Sequence, residues 1–229
     1  MQALLKKHYY WILAAIIFLE MIVYGGIINS YSIYTVPITE DFGIGRGPLS
    51  IADLNYNIFS FISTIAVGML FPKYGYRKIA TASLLISTIA LVLMSFAPNL
   101  LVYGICRALF GIGHGACFTA GAVKIIRSWF FRHQGLILGL VTMSTGIGGS
   151  ILAPALTEII ITAGWRNAAR FAALLLFLIT TLYLLIRDDP QELGLKQFGI
   201  ETPVTSANKQ KVDDWQGYTG KIIYRKPLF

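Results

Sequence analysis

Six long apolar runs constrain this chain more than any other feature. They cover residues 11–36, 49–71, 79–97, 100–123, 135–162 and 168–186. Each approaches or exceeds the ~20 residues with which a helix crosses ~30 Å of hydrocarbon. Short connections rich in Gly, Pro, Asn and charge separate them. A closed barrel would instead show alternating segments of about ten residues. The runs therefore predict transmembrane helices, which satisfy their own backbone groups in lipid. Charge supply agrees: 13% of the residues are charged and 55% apolar, against about 25% charged in soluble domains. The first run is too long for a signal-peptide core and lacks a cleavage pattern after it, so it is read as a mature span.

The net charge of +8 is explained by where the basic residues fall. With both termini placed inside, the inner segments hold Lys6, Lys7, Lys73, Arg77, Lys78, Lys124, Arg127, Arg132, Arg187, Lys196, Lys209, Lys211, Lys221, Arg225 and Lys226. The outer side holds Arg46, Arg166 and Arg170, and Arg107 lies within a run. That asymmetry predicts a multi-pass protein of the cell membrane with cytoplasmic termini, and it leaves no need for a nucleic-acid partner. The fold class expected is an all-α membrane protein: six transmembrane helices over 1–187, followed by a polar cytoplasmic linker over 188–229. The final "YRKPLF" reads as the threshold of a seventh span that is absent. Cys106 and Cys117 are eleven residues apart on one helix, about 16 Å along its axis, which is too far for a disulfide.

An internal echo suggests two related halves. Gly75-Tyr76-Arg77-Lys78-Ile79-Ala80 follows the second run and Gly164-Trp165-Arg166-Asn167-Ala168-Ala169 the fifth. Three spans separate the copies, so they fall on opposite sides, as in inverted three-helix repeats. Small residues recur at helical spacing in the fifth run (Gly135, Gly139, Thr142, Gly146, Gly149, Ala153) and the fourth (Gly104, Ala108, Gly111, Gly115, with Gly113 beside them). Such stripes predict close helix packing, and Pro154 predicts a kink in span five.

Polar residues inside the runs are the functional candidates, because a charge in hydrocarbon is expensive and generally faces a cavity or a partner. Glu20 and Arg107 fall at similar expected depths, so the sequence predicts that they pair or share a cavity. Arg107 offers a rigid fork for a carboxylate. His114, seven residues on, lies on the same helical face and is a candidate proton relay. Tyr24, Asn29, Tyr31 and Asn57 are candidates for lining the same cavity. Asp53 is read as a solvated or helix-capping group and Glu158 as a solvated one, both near the outer ends of their spans. No metal-ligand spacing, phosphate-cradling loop or nucleophile elbow is present, so no enzyme, metal or cofactor is expected.

These residues together resemble the major facilitator superfamily, in particular the branch of oxalate/formate antiporters and monocarboxylate transporters. "GMLFPKYGYRK", with Gly68, Gly75, Arg77 and Lys78, resembles its loop signature after span two, and "RALFGIGHGACF" its Arg-and-glycine span four. "SWFFRHQGLILGL", "GWRNAARF" and "RDDPQELGL" are similar to the entry to span five, the turn before span six and its exit. The resemblance implies secondary transport of a small organic anion by alternating access, with lipid as surroundings and gating at the loop glycines. Pro72 stands where the family's loop has an Asp, so that latch is expected to be absent or rebuilt. Such carriers have twelve spans, so the resemblance also implies a fragment, a truncated product, or a half that works with a second six-helix unit or a homodimer partner. The alternative is a non-transporting membrane subunit.

Overall fold

A computed structural model describes residues 2–195 and 197–199, with side chains from Tyr9 onward except at 119, 120 and 192. The described chain is almost wholly helical: α1 (Gln2–Asn29), α2 (Tyr31–Phe42), α3 (Arg46–Tyr74), α4 (Tyr76–Ser95), α5 (Leu100–His114), α6 (Ala120–Trp129), α7 (Gln134–Ala163) and α8 (Trp165–Tyr183). A π-helical turn, Gly115–Thr119, joins α5 to α6 within one continuous span. Five helices are long and apolar enough to cross a membrane: Tyr9–Asn29, Arg46–Tyr74, Tyr76–Ser95, Leu100–Trp129 and Gln134–Ala163. The sixth of the bundle is α8, whose first turns carry Arg166, Asn167 and Arg170 and so lower its apolar average.

Span one differs from its expected limits. α1 and α2 meet at Ser30, which keeps a helix-like backbone and donates its N–H to Gly26 O at 3.0 Å. Helix then continues to Phe42 and stops at Gly43, whose φ of 61° closes the last turn. Pro154 lies inside α7, whose helix runs uninterrupted from Gln134 to Ala163.

The sequence echo marks a structural repeat. Gly75 has φ 80° and ψ 159°, and Gly164 has φ 85° and ψ 161°, a region that is essentially glycine-only. Each glycine ends a long helix and begins the next, turning the chain back without a loop. The following aromatic, Tyr76 or Trp165, is buried. The arginine after that spans to another helix end: Arg77 Nη2 donates to Leu184 O at 2.6 Å, and Arg166 Nη2 donates to Ala97 O at 3.1 Å. Each also engages an acid, since Arg77 N–H donates to Asp188 Oδ1 and Arg166 pairs with Asp41. The most extensive packing joins α1 with α7, α3 with α5 and α4 with α8. Advancing every span by three converts the first of these pairs into the second and the third into itself, which is the pattern of two inverted three-helix repeats.

Close packing rests on a subset of the small residues. A Cβ on Gly111 or Gly115 would strike the Tyr56 or Ser60 carbonyl of α3, one on Gly113 would strike Ser87 Oγ of α4, and one on Gly149 would meet Asn29. Gly148, outside the expected stripe, presses on the Ile22 carbonyl of α1. Gly68, Gly135, Gly139 and Gly146 have nothing within 4 Å of such a Cβ. These four positions face away from the other described helices, which a spacing rule cannot foresee.

The start of α1 and the end of α8 lie at the same end of the bundle, where Tyr9 donates to Leu185 O at 2.8 Å. Past α8, Asp189 caps a short turn, Pro190–Leu193, and Phe198 N–H donates to Trp129 O at 2.9 Å. The expected linker lies outside the described residues from 200 onward.

Candidate functional site

Arg107 stands two turns into α5 with a side chain only 7% exposed. Its Nε donates to Asp53 Oδ1 at 3.0 Å, across the interface that Gly104 and Gly111 bring close. The same carboxylate oxygen accepts from Tyr31 at 2.5 Å and Tyr103 at 3.3 Å, and the two phenols are hydrogen-bonded to each other. The guanidinium carbon lies 3.9 Å from the Tyr31 ring centroid and 4.7 Å from that of Tyr56, cation–π contacts worth ~0.5–2 kcal/mol each. Among the described residues the two terminal guanidinium nitrogens bond no protein acceptor. They are not sealed from solvent, and Arg107 borders a cavity of about 160 Å³ with Tyr31, Asp53, Tyr56, Asn57 and Phe110. One face of the fork is therefore held by protein, and the other is open to an anion.

His114 ends α5 one step from this cluster. Its Nδ1 lies 3.1 Å from Tyr56 Oη and 3.0 Å from Ser60 Oγ, so Tyr56 links it to Arg107. Its Nε2 is buried without a partner. A larger cavity, about 490 Å³, adjoins the imidazole between α1, the π-turn with α6, and α7. Asn29 borders it and donates to Thr145 O at 3.1 Å.

Glu20 belongs to a separate cluster. It is fully buried, accepts from Cys117 Sγ at 2.8 Å and from Tyr183, and Tyr183 lies 3.1 Å from Tyr76 Oη. The π-turn carries Cys117 into this contact. Tyr24 is bonded instead to Ser87 of α4. The expected Glu20–Arg107 pairing does not occur. Span one runs to Phe42, so Glu20 lies nearer the end of the bundle that holds Tyr76 and Tyr183, while Arg107 lies with Tyr31 and Asp53 toward the other.

The model of the Major Facilitator Superfamily matches residues 11–228. The chain belongs to that superfamily. It is 23% identical over 193 residues to the uncharacterized MFS-type transporter YcxA of Bacillus subtilis, covering 83% of this chain and 44% of that protein. It is 27% identical to the riboflavin transporter RibJ of Trypanosoma brucei brucei, covering 62% and 27% of the two chains. It is 29% identical to the human monocarboxylate transporter 12, covering 69% and 31%. The fold matches a bacterial homologue of the human lysosomal transporter Spinster, in an inward-facing unoccupied conformation, with TM-score 0.64, 18% identity and coverage of 88% and 47%. The chain thus spans less than half the length of these relatives. Their names describe different cargoes, so the matches establish the superfamily and not the oxalate/formate or monocarboxylate branch.

In this major facilitator chain Pro72, where an acid is expected from the resemblance, lies in the last turn of α3. A carboxylate is nonetheless present there, because Asp188 Oδ1 accepts from Arg77 N–H at 2.5 Å and the same group lies against Gly75. Lys78 lines the recess beside Arg77 and Asp188. At the opposite end Trp165 Nε1 donates to Asp41 Oδ2 at 3.2 Å beside Arg166. Tyr31 and Asn57 border the Arg107 cavity, and Asp53, expected to be solvated or to cap its helix, is bound to Arg107 instead. Its register held the missing signal: Asp53, Tyr56, Asn57 and Ser60 recur at helical spacing, a polar stripe on an apolar helix.

Proposed function

We propose that this chain is the six-helix unit of a secondary transporter that moves a small organic anion by alternating access, with Arg107 as the anion's seat. The observation that supports this most is the half-used guanidinium, anchored by Asp53 and open on a cavity. Asp53 holds Nε and fixes the guanidinium, which leaves the terminal nitrogens for an anion on the cavity side. His114 extends this polar line through Tyr56 as a proton station. Glu20, away from the cavity, holds α1, α8 and span four together.

The orientation we favour puts the end with Lys73, Arg77, Lys78, Lys124, Arg127, Arg132 and Arg187 in the cytoplasm, against Arg46, Arg166 and Arg170 outside, in the plasma membrane. In this reading the anion is enclosed between this unit and a second one, in keeping with the greater length of the relatives. Equilibrium binding of a radiolabelled carboxylate to the purified protein tests the reading. Arg107→Gln is expected to lower affinity at least tenfold while leaving the gel-filtration profile unchanged, as loss of a charge-assisted pair requires. Unchanged affinity would remove Arg107 from the site.

A further inference from the structure

Arg77 and Lys78 border a recess of about 620 Å³ between the start of α4 and the end of α8, together with Ala82, Leu85, Leu184 and Asp188. It lies on a separate side of the bundle, since the cavities beside Arg107 and His114 take no residue from α4 or α8. The acid of the recess, Asp188, accepts from Arg77 N–H and lies against Gly75. Arg77 commits Nη2 to Leu184 O. Lys78 is exposed and has no hydrogen-bond or ion-pair partner among the described residues. Two cations thus face one acid, and a positive charge is left over. Lys78 stands in the first turn of the apolar span Tyr76–Ser95, so its amine lies where hydrocarbon gives way to headgroups. Ala82, Leu85, Ile89 and Leu93 follow at helical spacing and are exposed. From Lys78 to Leu93 this track is about 22 Å long, against ~15 Å for one leaflet of a ~30 Å hydrocarbon core. Leu184, also exposed, forms the facing wall.

We propose that this recess binds an anionic phospholipid, with the phosphate against Lys78 and Arg77 and an acyl chain along Ala82, Leu85 and Ile89. Basic pockets between membrane helices hold acidic lipid headgroups by the same contacts, and a guanidinium matches phosphate oxygens as it does a carboxylate. A zwitterionic lipid brings its own cation to the site and loses the attraction of Lys78. Free phosphate has no chain for the apolar track. A lipid seated here touches both α4 and α8, so it reinforces the fastening that Arg77 makes between them. The inference is independent of the anion reading, because the two sites lie on different faces and either can fail alone.

The test is native mass spectrometry of the purified full chain in detergent, titrated with dioleoylphosphatidylglycerol or dioleoylphosphatidylcholine and read as the affinity of the first bound lipid. Phosphatidylglycerol is expected to bind at least fivefold tighter, about the factor that one basic residue near the membrane surface supplies. Lys78→Gln is expected to remove most of that preference and Lys78→Arg to keep it. Lys124→Gln, at an exposed lysine that does not border the recess, is expected to leave it unchanged. Ala82→Trp fills the track and is expected to weaken both lipids. Equal affinity for the two lipids, an equal loss in Lys78→Gln and Lys124→Gln, or full affinity in Ala82→Trp would overturn the site, the second by showing diffuse surface charge. Displacement of the lipid by millimolar inorganic phosphate would also overturn it, in favour of a free-anion site.

Discussion

Arg107 and Asp53 show what a buried charge pair contributes. Removing one partner of such a pair leaves the other uncompensated in a poor solvent, at a cost of about 3–5 kcal/mol, whereas replacing both with apolar groups is often neutral. Arg107→Leu alone and Asp53→Leu alone should therefore lower the thermal midpoint in detergent, and the double variant should recover most of the loss. If the double variant were as unstable as the worse single one, the pair would not be the unit we describe. Glu20 makes a different case, because its two donors are neutral groups, Cys117 and Tyr183. Glu20→Gln keeps the shape and should stay within about 1 kcal/mol of the parent, while Glu20→Ala strands buried donors and should cost ~2–3 kcal/mol. Denaturant or thermal melts followed by tryptophan fluorescence separate these outcomes.

Along the helices, the same residue type carries unequal weight. Gly111 and Gly146 both lie inside apolar spans at helical spacing, yet a Cβ at Gly111 would meet the Tyr56 carbonyl and one at Gly146 meets nothing. Gly111→Ala should push α3 from α5 and destabilise the protein, whereas Gly146→Ala should be neutral or stabilising by up to about 1 kcal/mol, through helix propensity. Equal effects on the melting temperature would contradict this assignment of faces. The spans themselves were legible because hydrocarbon thickness sets a helix length that composition reveals directly. The echo at Gly75 and Gly164 was legible because a reversal with φ near 80° restricts the residue to glycine. Which partner Arg107 takes was not, since it depends on how far span one continues through Ser30 and which face of α3 turns inward. Asp53 was visible as a residue, but its stripe with Tyr56 and Ser60 gains meaning only once α5 is known to pack there.

For the molecule as a unit, the repeat explains why two ends of the bundle are fastened alike. Arg77 clasps the end of α8 and Arg166 the residues after α4, so each reversal is fastened by one arginine to a neighbouring helix end. Whether the anion takes the open face of Arg107 while Asp53 holds Nε is measured directly by equilibrium binding of radiolabelled acetate to the purified parent, Asp53→Asn and Arg107→Gln at one pH. Asp53→Asn keeps a side-chain oxygen for Nε and removes a nearby negative charge, so it should bind acetate at least as tightly as the parent, while Arg107→Gln should lose at least tenfold. Unchanged affinity in Arg107→Gln, or a loss in Asp53→Asn as large as that in Arg107→Gln, would contradict the account.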